Sequence, residues 1–508
     1  MGIANTNGMV GVIIPQKNIL TWQQTAIENI KKAGWPVVVF YVNECKTRRL
    51  PIHLLPLAYA EKKVHGTSIV FLKNSKPANS NDFEKWVNSG SLENLTELIC
   101  LGSLSSASIA DIAKKVNRPV FSLQLSEERH MDIISAVIQA YRLKAATISV
   151  NVWRSNPHGD SLAVYNTVCG IEEGLLFKTI NSIMAKCALI FVRVLRRHDN
   201  TANMKWATPE RHIQPFFTAK SPYAQFISHL YDKIFRKRQW IILFGFKNDG
   251  HESELELSEI TPPSSEFWAD PFAVKHNGKY FIFYEGFSFS GRKGYLSVAE
   301  IDREGTMLSS RVILEKETHL SFPFIFKHGG KFYMIPETSE TKTIELYECT
   351  DFPLKWEFKE TLIHNIDAVD TVLHYFRDKW WMFTTEKTQS DMSGHEELYI
   401  YFSDRLLNGN WMPHPGNPVI SDARMGRNAG AIEEKDGKLI RYGQYSGYVY
   451  GRAITVSEIE KLSENEYCEK VTSIKLPSKK NGHYGAHTYN VSHDLIVGDA
   501  LRRLKRFI

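Results

Sequence analysis

Two carboxylates and an imidazole stand at one repeating position in the C-terminal half of this 508-residue sequence. Five stretches align on Pro271, Pro323, Thr371, Gly430 and Thr488, and the residues just before these are Asp270, Phe322, Asp370, Ala429 and His487. A carboxylate near a hydroxyl accepts its hydrogen bond or takes its proton, and an imidazole near neutral pH does either. Further along the copies a second set reads Glu285, Glu337, Glu386 and Gln444. An unpaired buried charge is costly, so acids recurring where strands converge fit a polar ligand better than a core. Exposed loop acids are the plainer alternative.

The elements that must position these residues are legible in the same phrase. Phe267 to Glu285 reads F-W-A-D-P-F-A-V-K-H-N-G-K-Y-F-I-F-Y-E, an apolar run, an Asn277-Gly278 turn and an aromatic run. Asn-Gly between two apolar runs is a strong hairpin signal. The phrase returns at Ser321–Glu337, Val369–Glu386 and Arg427–Gln444, and more weakly at Tyr484–Asp499. The aligned positions recur every 50 to 60 residues or so, the period of four-stranded propeller blades. A lone blade cannot bury both faces, so five copies predict a closed five-bladed β-propeller over residues 239–508. The run Gln239–Phe246 (Q-W-I-I-L-F-G-F) reads as a strand lent to the last blade. Residues from matching repeat positions would then converge on the central funnel.

The N-terminal part alternates. Short β-branched runs at 9–15, 36–42, 97–101 and 118–123 are separated by helical periodicity at 21–33 and 105–116. That pattern predicts a three-layer α/β domain with a parallel sheet over residues 1–200. Such sheets bind ligands at the carboxyl ends of their strands, which directs attention to the turns Pro15–Asn18 and Leu101–Ser103. No Gly-rich phosphate fingerprint is present. His158 and Asp160 lie in a turn, where turn chemistry explains the Asn, Pro, Gly and Asp as well as catalysis does.

Hydrophobic residues make up 43%, charged residues 23% and aromatics 12%, the composition of an ordinary globular chain. A net charge of +6 is small for this length and points to no nucleic-acid partner. Six scattered cysteines form no metal-ligand spacing, so no metal site is read from them, and they suggest a reduced, cytoplasmic setting. The apolar stretch from Leu175 to Leu195 is broken by charges and reads as a core helix before an interfacial one. Between Phe191 and Lys247 eleven Lys or Arg face three Asp or Glu, with aromatics interleaved. Residues 201–238 read as a basic, aromatic linker, and the segment 191–247 as a place for peripheral contact with the inner face of a membrane or with a polyanion.

Specific resemblances follow from these residues. Ala269-Asp270-Pro271 with its G-K-Y-F-I-F-Y-E strand, and Val369-Asp370-Thr371, resemble blade motifs of the five-bladed arabinanase and β-xylosidase glycoside hydrolases. That resemblance implies Asp270 as general base and Asp370 as the residue that orients the acid, in an inverting reaction. The fourth blade departs from it. Arg427 and Asn428 stand where those hydrolases place the acidic Glu, and neither donates a proton to a leaving group at neutral pH.

A second resemblance spans more of the chain. S-F-P-F-I-F…M-I-P-E, R-N-A-G…R-Y-G-Q, Y-G-R-A-I from Tyr450, and G-A-H-T-Y-N are similar to the propeller module of plant glucosamine inositolphosphorylceramide transferases. Bacterial proteins similar to it carry the module behind a formyltransferase-like α/β domain. Phe121–Leu125 echoes that domain's H-x-S-L-L-P loop but lacks its His.

Together these readings imply a glycosyl or related group transferase of surface polysaccharide or glycolipid assembly. A non-catalytic glycan-binding propeller and an inverting hydrolase are the alternatives. Asp270, Asp370 and Glu337 are the expected catalytic residues. Glu285, Glu386, Arg427, Asn428, Gln444, Tyr450 and His487 are the expected ligand contacts, with Arg427 offering its planar fork to a carboxylate or phosphate. A carbohydrate, with a nucleotide sugar as donor, is the expected substrate.

Overall fold

The computed structural model describes residues 8–14, 19–42, 51–66, 74–75, 81–82, 95–125, 132–198, 221–247, 257–389, 391–478 and 482–505. They form two units, taken separately below.

The N-terminal unit is built on a seven-stranded sheet. Its parallel part runs Asn81–Asp82, Val37–Tyr41, Met9–Ile14, Leu95–Cys100, Val120–Leu125. Thr147–Ser155 and Ser161–Gly170 then extend it antiparallel, so the sheet is mixed rather than wholly parallel. Helices Thr21–Lys32 and Ser106–Val116 fall where 3.6-residue periodicity puts them. The strand order reverses between Met9–Ile14 and Leu95–Cys100, the usual ligand position in such sheets. Of the two turns expected there, Pro15–Asn18 lies outside the described residues.

Phe121–Leu125 belongs to a strand, not a loop. His158 and Asp160 sit in the hairpin turn of the antiparallel pair, where Asn156 Nδ2 donates to Asp160 Oδ2 at 2.8 Å. The helix Leu176–His198 buries Phe177, Ile180, Ile183, Met184, Ile190 and Phe191, which settles its apolar stretch as core. Its N-terminal amides at Phe177 and Lys178 donate to the buried Glu61 carboxylate. Among the described residues no helix is long and apolar enough to cross a membrane.

The second unit is a five-bladed β-propeller. Four blades are consecutive in sequence and begin with the strands Glu266–His276, Ser321–His328, Ala368–Phe376 and Arg427–Asn428. The fifth is composite. Tyr489–Ser492 and Leu495–Lys505 supply its inner strands, and Arg236–Phe246 and Ser258–Ile260 its outer ones. The long ladder from Arg236↔Lys505 to Phe246↔Leu495 therefore closes the ring, with the lent strand beginning three residues before the expected Gln239. Of the stretch expected as linker, 201–220 lies outside the described residues, and Pro222–Phe235 is a helix.

The blades pack through aromatics from the repeated phrase. Phe272 lies edge-on to Phe322 at 5.0 Å, and Phe283, Phe324, Trp380 and Phe383 join one buried cluster. Fully burying such a side chain stabilises by roughly 1.5–3 kcal/mol, so the phrase is first a packing device.

Candidate functional site in the propeller funnel

The repeated slot is a backbone device as well as a sequence position. Asp270, Phe322 and Asp370 have φ of 52°, 46° and 50°, in the left-handed region. In each strand the pairing register slips there, between Ala269 and Phe272, Ser321 and Phe324, and Val369 and Val372. This is a β-bulge, which bends the strand and re-aims a side chain. A left-handed non-glycine residue costs roughly 1–2 kcal/mol, and Asp tolerates it better than most. In blades 1 and 3 the bulge presents a carboxylate, whereas in blade 2 Phe322 is buried in the core.

Asp370 is held on several sides. Arg427 Nε and Nη2 donate to its two oxygens at 2.5 and 3.1 Å, and Gln444 Nε2 donates to Oδ2 at 2.7 Å. Asn428, fully buried, donates to the backbone oxygens of Asp370 and Phe383 at 2.8 and 3.0 Å. Sequence reasoning offered Arg427 and Asn428 to a ligand. The structure instead commits the Arg427 fork to a carboxylate of its own chain and the Asn428 amide to the inner strands. Arg427 also lies 2.9 Å from His395 Nδ1, 3.6 Å from Glu337 Oε2 and 5.4 Å from the Tyr450 ring. Burial alone would make the guanidinium easier to deprotonate, but Asp370, Tyr450 and Glu337 together outweigh it and raise it.

Asp270 has a different setting. Thr488 Oγ1 donates to Asp270 Oδ1 at 2.8 Å, and His487 Nε2 lies 3.4 Å from the same oxygen. On the far side of the ring, His487 Nδ1 is 2.5 Å from Asp499 Oδ2. Asp499 also accepts the backbone amides of His487 at 2.8 Å, Thr488 at 3.0 Å and Asp270 at 3.3 Å, which binds the blade 1 bulge to blade 5. Trp240, on the lent strand, stacks on His487 at 3.9 Å, and Tyr450 meets both rings edge-on. Gly451 allows that approach. Its φ is +63°, and a Cβ there would lie 2.8 Å from Trp240 and 2.9 Å from His487.

The charges set the protonation states. Burial raises Asp270, His487 offsets part of the rise, and Asp370 and Asp499 add to it, giving about 6. Burial would lower His487, but Asp499 and Asp270 together outweigh it and raise the ring above its ordinary value. Glu337 is pushed up to about 8, first by burial and then by Asp370, with Arg427 opposing. Its Oε1 accepts from Ser339 at 3.0 Å, while its buried Oε2 has no hydrogen-bond partner among the described residues. Glu285, 3.5 Å from His319 Nε2, is raised well above the carboxylate range by burial and by Asp270, Glu337 and Asp370. These mutual influences join Asp270, Glu285, Glu337 and Asp370 in one electrostatic cluster. Asp270, His487 and Asp499 each offer a ligand atom, all within 4.8 Å of one another.

Glu386 does not join them. Glu285 pairs with Ala269 and Glu337 with Ser321, one residue before the slot, but Glu386 pairs with Ala368, two before it. Thr385 is the true equivalent. A one-residue slip turns a side chain to the opposite face, and Glu386 there accepts from Tyr401 Oη at 3.0 Å. Gln444 is also shifted by one, yet from blade 4 it reaches Asp370.

Sequence reasoning missed Asp499, Trp240, His395 and His319. Asp499 was within reach, since it ends the fifth copy of the phrase much as Glu285 ends the first. The two histidines lie outside the repeats and gave no signal.

Residues 255–499 match the family model described as Glucosamine inositolphosphorylceramide transferase 1, N-terminal. The propeller is similar to that family's N-terminal module. Glucosamine inositolphosphorylceramide transferase 1 of Oryza sativa subsp. japonica is 34% identical over 221 residues, 43% of this chain and 29% of the relative. The Arabidopsis thaliana protein of the same name is 33% identical over the same shares. The match thus spans less than a third of the length of these curated relatives. Among solved structures, Zg3597, a family 117 glycoside hydrolase of Zobellia galactanivorans, matches with a TM-score of 0.35 and 12% identity, covering 53% of this chain and 91% of that one. The RS223 β-xylosidase matches with a TM-score of 0.34 and 13% identity, over 47% and 92%.

Proposed function

We propose that the funnel binds a sugar and catalyses transfer of a glycosyl or related group to an acceptor hydroxyl. The observation that carries this reading is the split in protonation between two buried acids. Asp270, titrating near 6, is mostly ionised at neutral pH, while Glu337, near 8, mostly keeps its proton. Two titratable groups pushed apart in this way serve as base and acid at one pH. Asp270 takes the proton of the attacking hydroxyl, with His487 and Thr488 holding it. Glu337 donates to the departing oxygen. Asp370 orients Arg427 and Gln444 beneath the sugar, and Tyr450 offers it a ring.

The relatives' name joins glucosamine to inositolphosphorylceramide, which favours a sugar donor and a glycolipid or surface-polysaccharide acceptor here. A nucleotide sugar is the donor we propose, without a phosphate contact from Arg427, whose fork Asp370 occupies. One observation favours a second reading, hydrolysis. The acid missing from blade 4 is available from blade 2 as Glu337, and water could replace the acceptor.

Incubation with a panel of nucleotide sugars, with and without glycolipid acceptors, separates these readings. Transfer predicts that one donor raises the unfolding temperature and that labelled sugar appears on an acceptor. Free sugar released at the same rate without acceptor selects hydrolysis. A panel in which no sugar protects the fold and no product forms overturns both.

A further inference from the structure

The ring-closing ladder carries an unusual charge arrangement at its outer end. Arg236 pairs with Lys505 and Arg238 with Arg503, and directly paired residues of antiparallel strands share a face. Positions 236 and 238 also share a face, because side chains alternate along a strand. Four cations therefore stand together on one side of a two-stranded ribbon. Like charges directly opposite one another destabilise a sheet, and within the blade Arg503 also lies over the Tyr484 ring at 4.5 Å. The opposite face shows what ring closure uses, since Gln239 Oε1 accepts from Arg502 and Lys237 Nζ donates to Ser264 O at 2.6 Å.

The helix Pro222–Phe235 runs directly into this ribbon, and its last turn is apolar and exposed. Tyr231 and Ile234 are each 52% exposed and Phe235 40%. Contacts tie that turn to the basic face. Arg236 lies over the Tyr231 ring at 5.8 Å, Tyr231 packs on Phe235 at 4.8 Å, and Asp232 pairs with Arg236 at 3.4 Å and Arg503 at 3.3 Å. Exposed rings and an aliphatic side chain beside a row of cations match the two layers of an anionic bilayer surface, headgroups and acyl boundary.

We propose that the last turn of this helix and the basic face of the ribbon form a docking surface for an anionic lipid bilayer. The surface stands on geometry apart from the funnel, so it does not depend on the reaction proposed there. Docking here would hold the propeller at the layer where a glycolipid acceptor resides.

The test is sedimentation of the full chain with vesicles of phosphatidylcholine alone and with about 30% phosphatidylserine added. Binding to the anionic vesicles only is expected, weakened about tenfold or more as salt rises from about 0.1 to about 0.5 M. R236Q/R503Q and I234S/F235S are each expected to weaken it by about tenfold, with sugar binding by the funnel unchanged. Equal binding to neutral vesicles, salt-independent binding or no binding overturns the proposal. So does a change of oligomeric state in I234S/F235S without vesicles, which would assign the apolar turn to a second copy of this chain. Should the charge variant fold poorly, the salt titration of the unaltered protein decides alone.

Discussion

Asp270 and Asp370 fill the same slot of two blades, share the left-handed bulge and are both buried, yet their surroundings differ in kind. Asp370 is ion-paired with a two-pronged arginine and hydrogen-bonded by a glutamine. Asp270 faces a hydroxyl and an imidazole already shared with Asp499. In this propeller the repeated phrase copies the backbone and the aim of the side chain. The partners come from positions that do not repeat, such as Arg427, His487 and Asp499. A carboxylate with both oxygens committed is a fixture, and one titrating near neutral pH is a reagent.

The comparison breaks most sharply on activity. Asp270→Asn should lower the rate on the order of 10²–10⁴-fold, the usual worth of a general base, with little loss of stability. Its carboxylate is raised by burial, so removing the charge relieves a cost. Steady-state kinetics together with a melting curve decide this, and near-full activity would remove Asp270 from the base role.

Asp370→Asn should show the reverse balance. It strips Arg427 of its main counter-charge, and breaking a buried ion pair from one side costs roughly 3–5 kcal/mol. At a few degrees per kcal/mol for a domain of this size, the unfolding midpoint should fall by about 10 °C. If Asp370→Asn and Asp270→Asn destabilise equally, the two carboxylates are not the fixture and the reagent described here.

The third effect is on pH dependence. Activity should rise as Asp270 ionises through about 6 and fall as Glu337 ionises through about 8. Glu337→Gln should remove the upper limb. The stability sign follows from the same shift. The folded protein keeps the Glu337 proton up to about 8, whereas an unfolded chain releases it near 4.5, so folding takes up a proton in between. Stability should therefore decline as pH rises across that window, and Glu337→Gln should flatten the decline. A decline unchanged in the variant would assign it to Glu285 or another group.

How far the sequence disclosed this site depends on which rule each residue obeys. The blade count, the lent strand and the slot were legible because packing repeats with the phrase and turn chemistry marks every hairpin. The convergence of Asp370 with Arg427 and Gln444 followed from ring closure. What those residues do to one another did not, because spacing along a chain carries no information about whether a guanidinium meets a ligand or a neighbouring blade. The N-terminal sheet was legible in its parallel part, from buried β-branched runs. Its antiparallel edge was marked only by the turn at His158 and Asp160, with no sign of where the flanking segments would pair.

Glu386 is the smallest and most diagnostic case. By the phrase alone it ends the third copy as Glu285 and Glu337 end the first two, and the three acids seem equivalent. Pairing decides otherwise, because the inner strand of blade 3 meets Glu386 at Ala368, while Glu285 and Glu337 meet the residue nearest the slot. One residue of register is half a strand period, so its carboxylate leaves on the opposite face toward Tyr401. Glu386→Gln should then change the rate by less than about threefold, since the neutral amide keeps a hydrogen bond to Tyr401, worth about 1 kcal/mol, and takes nothing from the funnel. Measured beside Glu337→Gln, it asks whether register or sequence order fixes membership of the site. A loss as large as that of Glu337→Gln would show that the blade 3 strands pair differently when substrate is bound.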